Sequence, residues 1–495
     1  MFASLGLDAS TLILLCLAVL LALSFEFVNG FHDTANAVAT VIYTHTLKPY
    51  QAVVWSGTWN LIGVLTSSGA VAFGIVALLP VELVINVGSG AGFAMVFALL
   101  VSAIIWNVGT WYLGLPASSS HTLIGSIVGV GLMNSMLSPG SAFGDGVNWA
   151  KVADTVKALV FSPLIGFVLA ALVLLLARLL LKIPALYKAP EGDKPPPWPI
   201  RLLLIFTCTG VSFAHGSNDG QKGMGLIMLI LVGIVPASYA LDMSTSPDAL
   251  NRISVSAQAF DQSLHSAGTV PLAAGTDAAH VELTKFLKSS KLAPDTLPAL
   301  AALNHNVEQT TSGLKGFDAL SGAQRRALRM DIYMVSESIA RMIKTKQVPT
   351  GLDAKALGDY QSQLKSTTNF IPLWVKVAVA VALGLGTMIG WKRIVVTVGE
   401  KIGKAHLTYA QGASAELVAF ATIEAADTLG LPVSTTHVLS SGIAGTMVAN
   451  RSGLQKDTVR DILLAWVLTL PVCVALGATL FGAGLLLVFR VLGMH

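Results

Sequence analysis

Charge is scarce in this sequence. Of its 495 residues only 12% are Asp, Glu, Lys or Arg, against roughly 25% in an ordinary soluble domain. Hydrophobic residues make up 54% and the mean hydropathy is +0.70, a balance that excludes a soluble globular class. The net charge of +4 is too mild to imply a nucleic-acid partner. Cysteine is scarcer still. Cys16, Cys208 and Cys473 all fall in apolar stretches, with neither metal-site spacing nor a disulfide framework, so they read as buried fillers. No removable secretory leader is expected. Met1 to Leu23 has no basic start, and the apolar run continues through Phe31 without a small-residue cleavage site, so the first helix is expected to stay.

What is present is long apolar runs, such as Leu12 to Phe25, Val64 to Leu79 and Leu159 to Leu181. A membrane span needs roughly 20 mostly apolar residues, and about a dozen runs approach that pattern. Backbone groups at membrane depth must bond within the protein, and runs of this length suit helices rather than the alternating strands of a barrel. The expected fold is an all-α polytopic membrane bundle.

Basic residues gather in two short connections, Lys182 to Arg201, with its Pro195-Pro196-Pro197 run, and Lys392 to Lys404. The positive-inside bias makes both cytoplasmic. Between them one long polar stretch interrupts the apolar pattern. The chain thus divides into a first transmembrane repeat (1–182), a cytoplasmic linker (183–200), the start of a second repeat (201–241), an extramembrane insertion (242–370) and the remainder of the second repeat (371–495). Ala323 to Thr345 of the insertion has a helical pattern. With one crossing on each side of it, the insertion faces the periplasm. It has no metal-ligand spacing and no glycine-rich phosphate loop, so a scaffold or assembly role is expected.

Two polar motifs sit inside the apolar regions, and each occurs twice. Asn29-Gly30-Phe31-His32-Asp33-Thr34-Ala35-Asn36 answers to His215-Gly216-Ser217-Asn218-Asp219-Gly220-Gln221-Lys222. Aligned on the aspartates, Gly30 meets Gly216, His32 meets Asn218, and Asn36 meets Lys222. Each copy puts a carboxylate and a second polar group three residues apart, on one helix face. Ionisable residues at membrane depth are rare and usually functional. The flanking glycines are expected to let each helix break and free backbone groups for an ion, as transporters do near the midplane.

The second motif, Gly114-Leu115-Pro116-Ala117-Ser118-Ser119-Ser120-His121, recurs as Gly430-Leu431-Pro432-Val433-Ser434-Thr435-Thr436-His437. Proline beside serine or threonine announces a helix N-terminus. The apolar segments that follow are short, as in re-entrant hairpins. Two such tips meeting at mid-depth would offer amides, hydroxyls and partial positive charge to phosphate or another oxyanion, without any arginine. Other polar residues in the apolar regions are Glu26, Asn60, Asn107, Glu416, Glu424 and Asp427, oxygen and amide groups that suit either a cation or helix-helix hydrogen bonds.

These four stretches resemble the signatures of the PiT family of inorganic phosphate transporters, and the insertion is similar to the large loop of its bacterial low-affinity Pit-type members. The resemblance covers essentially the whole chain. It implies a bundle of two inverted repeats with broken helices and re-entrant hairpins, dimeric in many members, in the bacterial inner membrane. It implies a carrier and not an enzyme. Phosphate would be held by Ser118, Ser119, Ser120, Ser434, Thr435 and Thr436. Asp33, Asn36, Asp219, Glu416 and Asn60 would bind the coupling ion or complete the phosphate site, with His32, Asn218, Lys222, His121 and His437 in support. No resident cofactor is implied, and a divalent metal would travel with phosphate. Phe31-His32 stands where many members have Ala-Asn, and Asn60 where some sodium-coupled members carry glutamate. These departures favour H⁺ over Na⁺ as the coupling ion. Sodium coupling, or another oxyanion such as sulfate, is the alternative.

Overall fold

The computed structural model describes residues 7–79, 89–138, 140–145, 147–269, 271 and 275–491, excepting the side chains of residues 34–36, 151, 237 and 491. Among them the regular structure is helical, apart from one isolated bridge between Gly403 and Leu454. In chain order the membrane part begins with α1 (Ala9–Tyr43), α2 (Pro49–Thr66), α3 (Ala70–Val76), α4 (Gly90–Tyr112), α5 (Ser119–Leu137), α6 (Trp149–Leu180) and α7 (Trp198–Ile234). The insertion holds α8 (Pro247–Ser266), α9 (Gly275–Ser289), α10 (Thr296–Thr311), α11 (Gly322–Lys344) and α12 (Ala354–Thr368). The chain then continues as α13 (Leu373–Ile389), α14 (Lys392–Glu400), α15 (Tyr409–Thr428), α16 (Thr435–Ala449) and α17 (Lys456–Leu486).

Two compact units result. One is Ala9–Ile230 with Ile371–His495, and the other centres on Leu231–Phe370. Their helices solve different problems. In the insertion Leu250, Ile253, Ala257, Phe260 and Leu264 of α8 are buried at three- and four-residue intervals, the stripe of an amphipathic helix in water. In α6 the outward residues are themselves apolar: Leu164, Val168, Leu172, Leu176 and Leu179 are all exposed. Such an apolar surface is at home in lipid rather than water. Within the insertion, Arg329 Nη1 donates to the carbonyls of Ala240 (2.6 Å) and Thr368 (3.2 Å), and Asp242 N donates to Thr367 O (2.8 Å). These bonds tie its first and last residues together.

Among the described residues six helices are long and apolar enough to cross a membrane, fewer than the dozen apolar runs suggest. The difference lies in segments that are too short or too polar to count. α13 has 17 residues and α16 has 15, while α15 carries Gln411, Ser414 and Glu416. α2 and α3 form one broken element bent by 75°, with Gly69 at the break in a left-handed conformation (φ +87°) that favours glycine.

The helices through the two aspartate motifs, by contrast, do not break. α1 runs 35 residues and α7 37 residues without interruption, which corrects the expectation of breaks there. The motif glycines serve close packing instead. A Cβ at Gly30 would lie 2.2 Å from Leu383 O on α13, and one at Gly216 would lie 2.1 Å from Asn60 O on α2. Each half thus presses its aspartate helix against a helix of the other half. The hairpin arms cross in the same way: a Cβ at Gly129 of α5 would meet Val474 O of α17 at 2.1 Å, and one at Gly445 of α16 would meet Phe167 O of α6 at 2.1 Å.

Candidate functional site between two hairpin tips

α4 and α5 form one hairpin, and α15 and α16 form the other. Each turns on a glycine with positive φ, Gly114 (+70°) and Gly430 (+63°). Ser118 and Ser434 are the N-caps of α5 and α16, and their hydroxyls accept from the amides of His121 and His437 at 3.2 Å in both cases. Identical caps follow from identical local sequence, since Ser at this position satisfies an amide that has no intrahelical partner.

The tips meet. Ser120 Oγ donates to Val433 O at 2.9 Å, and the rings of His121 and His437 lie 4.7 Å apart between centroids. Trp466 closes this contact, stacking on His437 at 4.0 Å while its Nε1 donates to Pro116 O at 2.8 Å. The residue before each aspartate also reaches a hairpin. His32 Nε2 lies 3.1 Å from Thr110 Oγ1. Asn218 Nδ2 donates to Leu431 O at 3.2 Å, and Val433 N donates to Asn218 Oδ1 at 3.5 Å.

Against the tips stand the two aspartates, both essentially without solvent exposure. Ser119 Oγ lies 3.0 Å from Asp33 Oδ2 and 3.4 Å from Asp219 Oδ2, and Thr436 Oγ1 donates to Asp33 Oδ1. One hydroxyl from each tip therefore contacts the same carboxylate. Lys222 Nζ pairs with Asp219 Oδ2 at 2.7 Å and donates to Ser119 Oγ at 3.2 Å. The cradle is therefore not the charge-free arrangement of hydroxyls and helix tips that the motif alone implies. His215 Nε2 lies 3.5 Å from Asp219 Oδ2 and 3.9 Å from Asp33 Oδ2, and His32 Nδ1 lies 3.5 Å from Asp33 Oδ1. Asn60 sits one step out: its Oδ1 is 2.8 Å from His215 Nδ1, and its Nδ2 donates to Thr387 Oγ1 at 3.2 Å.

The ligand atoms of Asp33, His215 and Asp219 all lie within 4.8 Å of one another, a set of two carboxylates and an imidazole able to hold a cation. Thr435 Oγ1 and Asp219 Oδ1 are buried with no hydrogen-bond partner among the described residues. Such atoms are exceptions in native interiors.

The sequence-derived residues thus separate into groups. Ser118 and Ser434 cap, Ser120 joins the tips, and Ser119 and Thr436 contact carboxylate. Glu416 lies in a second cluster. Thr40 of α1 donates to its Oε1, and Thr207 of α7 donates to its Oε2 at 2.5 Å. The side chain of Asn36 lies outside the described residues. Sequence reasoning missed Thr40, Thr207, Thr110 and Trp466. Hydroxyls in apolar helices usually bond their own backbone, and a lone tryptophan is no signal, so nothing local marked them.

These contacts also set the direction of the two aspartate helices. Asp33 lies near Asp219. Further along α1, Thr40 shares Glu416 with Thr207, which precedes Asp219. Earlier on α1, Glu26 abuts Gly223, which follows Asp219: a Cβ there would lie 2.2 Å from Glu26 Cγ. α1 and α7 pass each other antiparallel.

A polytopic helical bundle with a buried, charged site between two hairpin tips is the architecture of a membrane transporter. More narrowly, the chain belongs to the phosphate transporter family, whose profile matches residues 29–477. It is 43% identical to the low-affinity inorganic phosphate transporter PitA of Escherichia coli K12, over 96% of this chain and 97% of that one. It is 42% identical to PitB of the same strain, over 98% and 99%. The probable low-affinity inorganic phosphate transporter of Bacillus subtilis is 28% identical over 94% and 96%. Among solved structures, one titled as the sodium-dependent phosphate transporter shares the fold, with a TM-score of 0.51 and 18% identity over 95% of this chain and 98% of that one. The protein is a multi-pass protein of the bacterial inner membrane.

Proposed function

We propose that this protein imports inorganic phosphate by secondary active transport, carrying it as a metal–phosphate complex in symport with H⁺. The observation that carries this reading is the convergence of two capped helix N-termini on Asp33 and Asp219 through Ser119 and Thr436. Helix N-termini and hydroxyls favour an oxyanion, and the facing carboxylates favour the cation that accompanies it. Ser118, Ser119, Ser120, Ser434, Thr435 and Thr436 would line the phosphate side. Asp33, Asp219, His215 and Asn60 would line the cation side, and Glu416 would supply a second acid on the pathway. A divalent metal is cargo in this scheme.

The antiparallel pairing of α1 and α7 supports an inverted repeat, in which rocking of one half against the other would expose a single site to each side in turn. Neutralising the anion matters because moving one charge against the membrane potential involves about 2.3 kcal/mol per 100 mV. The basic connections would lie in the cytoplasm and the insertion in the periplasm, with assembly as a homodimer.

The test is labelled phosphate uptake by purified full-length protein in liposomes, scanned against a pH gradient, Mg²⁺ and Na⁺. Uptake is expected to follow the pH gradient and to rise with Mg²⁺. Uptake that requires Na⁺ and ignores the pH gradient selects the sodium-coupled reading, which the Asp33–His215–Asp219 cluster also accommodates. Strong competition by unlabelled sulfate would broaden the cargo to tetrahedral oxyanions, since hydroxyl tips do not by themselves distinguish them.

A further inference from the structure

The two aspartate motifs match in register but not in charge. Asn36 follows Asp33 by three residues, and at the equivalent place Lys222 follows Asp219. Among the described residues Lys222 is the one lysine or arginine that is fully buried. Its Nζ is 2.7 Å from Asp219 Oδ2 and 3.2 Å from Ser119 Oγ. The next residue, Gly223, lies against Glu26, whose register partner in the second half is the uncharged Ser212. The chain therefore sets a buried positive group on the aspartate of the second motif, at the register position where the first motif has an uncharged asparagine.

We propose that Lys222 is a built-in cation. Its ammonium permanently occupies the place that the second motif would otherwise offer to a cation from solution, leaving the Asp33 copy as the one that draws its cation from solution. The inference rests on the oxyanion-transport reading above and deepens it. A buried ammonium is tolerated only when paired and hydrogen-bonded, and Asp219 and Ser119 meet both needs. A second small cation on the Asp219 carboxylate would face a like charge a few ångströms away, in a medium that screens poorly. An ammonium has three donors. Two are matched to Asp219 and Ser119, and the third is available to an oxyanion seated at the Ser119 tip. Lys222 thus replaces a mobile charge with a tethered one and lowers by one the number of cations bound with each anion.

The test compares wild type, Lys222→Asn and Lys222→Arg in full-length protein reconstituted in liposomes. It reads the phosphate KM and the charge moved per phosphate, taken from the reversal potential, with H⁺ and Na⁺ varied separately. Thermal unfolding in detergent reports whether each variant is folded. Lys222→Asn restores the first-half pattern. It is expected to raise the phosphate KM about tenfold or more at low cation concentration, to raise the coupling ratio by one cation, and to recover its KM as H⁺ or Na⁺ is raised. Lys222→Arg is expected to keep the wild-type ratio. A folded Lys222→Asn protein with the wild-type ratio overturns the inference. So does wild-type protein that couples two cations per phosphate beyond the cargo metal, a result that needs no variant. Wild-type vesicles that take up no phosphate overturn the transport reading, and this inference with it.

Discussion

The two hairpin tips are near copies in their caps, whereas the two aspartate helices are copies only in register. Ser118 and Ser434 cap their helices with the same 3.2 Å bond, and the His121 and His437 rings face each other. On the helices, His32 and Asn218 reach different hairpins by different chemistry, and Lys222 takes the register position that asparagine holds in the first motif. The difference is instructive. A tetrahedral anion can be held by like groups from two sides, so the duplicated caps have no reason to diverge. Charge must be counted over the whole site, so one copy is free to change its charge when the other keeps it.

Asp33→Asn should produce the largest break in that comparison. Asp33 accepts from Ser119 and Thr436 and neighbours two histidines. Removing one member of such a buried set costs about 3–5 kcal/mol. Phosphate uptake in liposomes should fall about 100-fold or more. Uptake within threefold of wild type would mean that the first copy of the motif does not act in transport.

The glycine pair tests whether the halves are mechanically equivalent. Gly30→Ala and Gly216→Ala each force a Cβ to within 2.2 Å and 2.1 Å of a backbone carbonyl oxygen, and overpacking of this kind costs about 1–3 kcal/mol. Both variants should lower the unfolding midpoint in detergent, by similar amounts. A large loss at one and none at the other would show that the interlocking contacts of α1 with α13 and of α7 with α2 differ in strength.

Ser119→Ala should matter more than its neighbour Ser120→Ala. Ser119 Oγ is shared among Asp33, Asp219 and Lys222, whereas the Ser120 hydroxyl bonds one carbonyl across the tips. A hydrogen bond to a charged group contributes about 1.5–3 kcal/mol, so Ser119→Ala should raise the phosphate KM about tenfold or more. Ser120→Ala should change it about threefold. Equal effects would place the functional contact elsewhere on the tip.

How much of this was legible depended on whether the signal was local. The all-helical membrane fold followed from composition. Both tips followed from Gly-Leu-Pro-x-Ser, because capping is fixed by a few adjacent residues. α11 (Gly322–Lys344) fell almost where the pattern of Ala323 to Thr345 put it. What the sequence could not disclose were the long-range pairings. Glycine reads the same whether it breaks a helix or admits a neighbouring backbone, and only the approach of Leu383 and Asn60 decides for the second. Likewise the partners of Glu416, Thr40 and Thr207, lie 376 and 209 residues away along the chain. No spacing rule reaches that far.

The smallest effect should come from the most symmetric feature. Ser118 and Ser434 each accept one amide hydrogen bond as N-cap, and replacing such a cap by alanine costs about 1 kcal/mol. Ser118→Ala and Ser434→Ala should therefore lower stability equally and modestly, as read from unfolding midpoints of the full-length protein in detergent. If their hydroxyls also line the phosphate side, each variant should raise the phosphate KM beyond what the stability loss explains, and by matching factors. A KM change in one variant alone would show that the anion rests on one tip and that the likeness of the caps reflects folding rather than binding. Matching changes in both would place the anion between the tips, where the asymmetry of Lys222 and Asn36 decides how many cations accompany it.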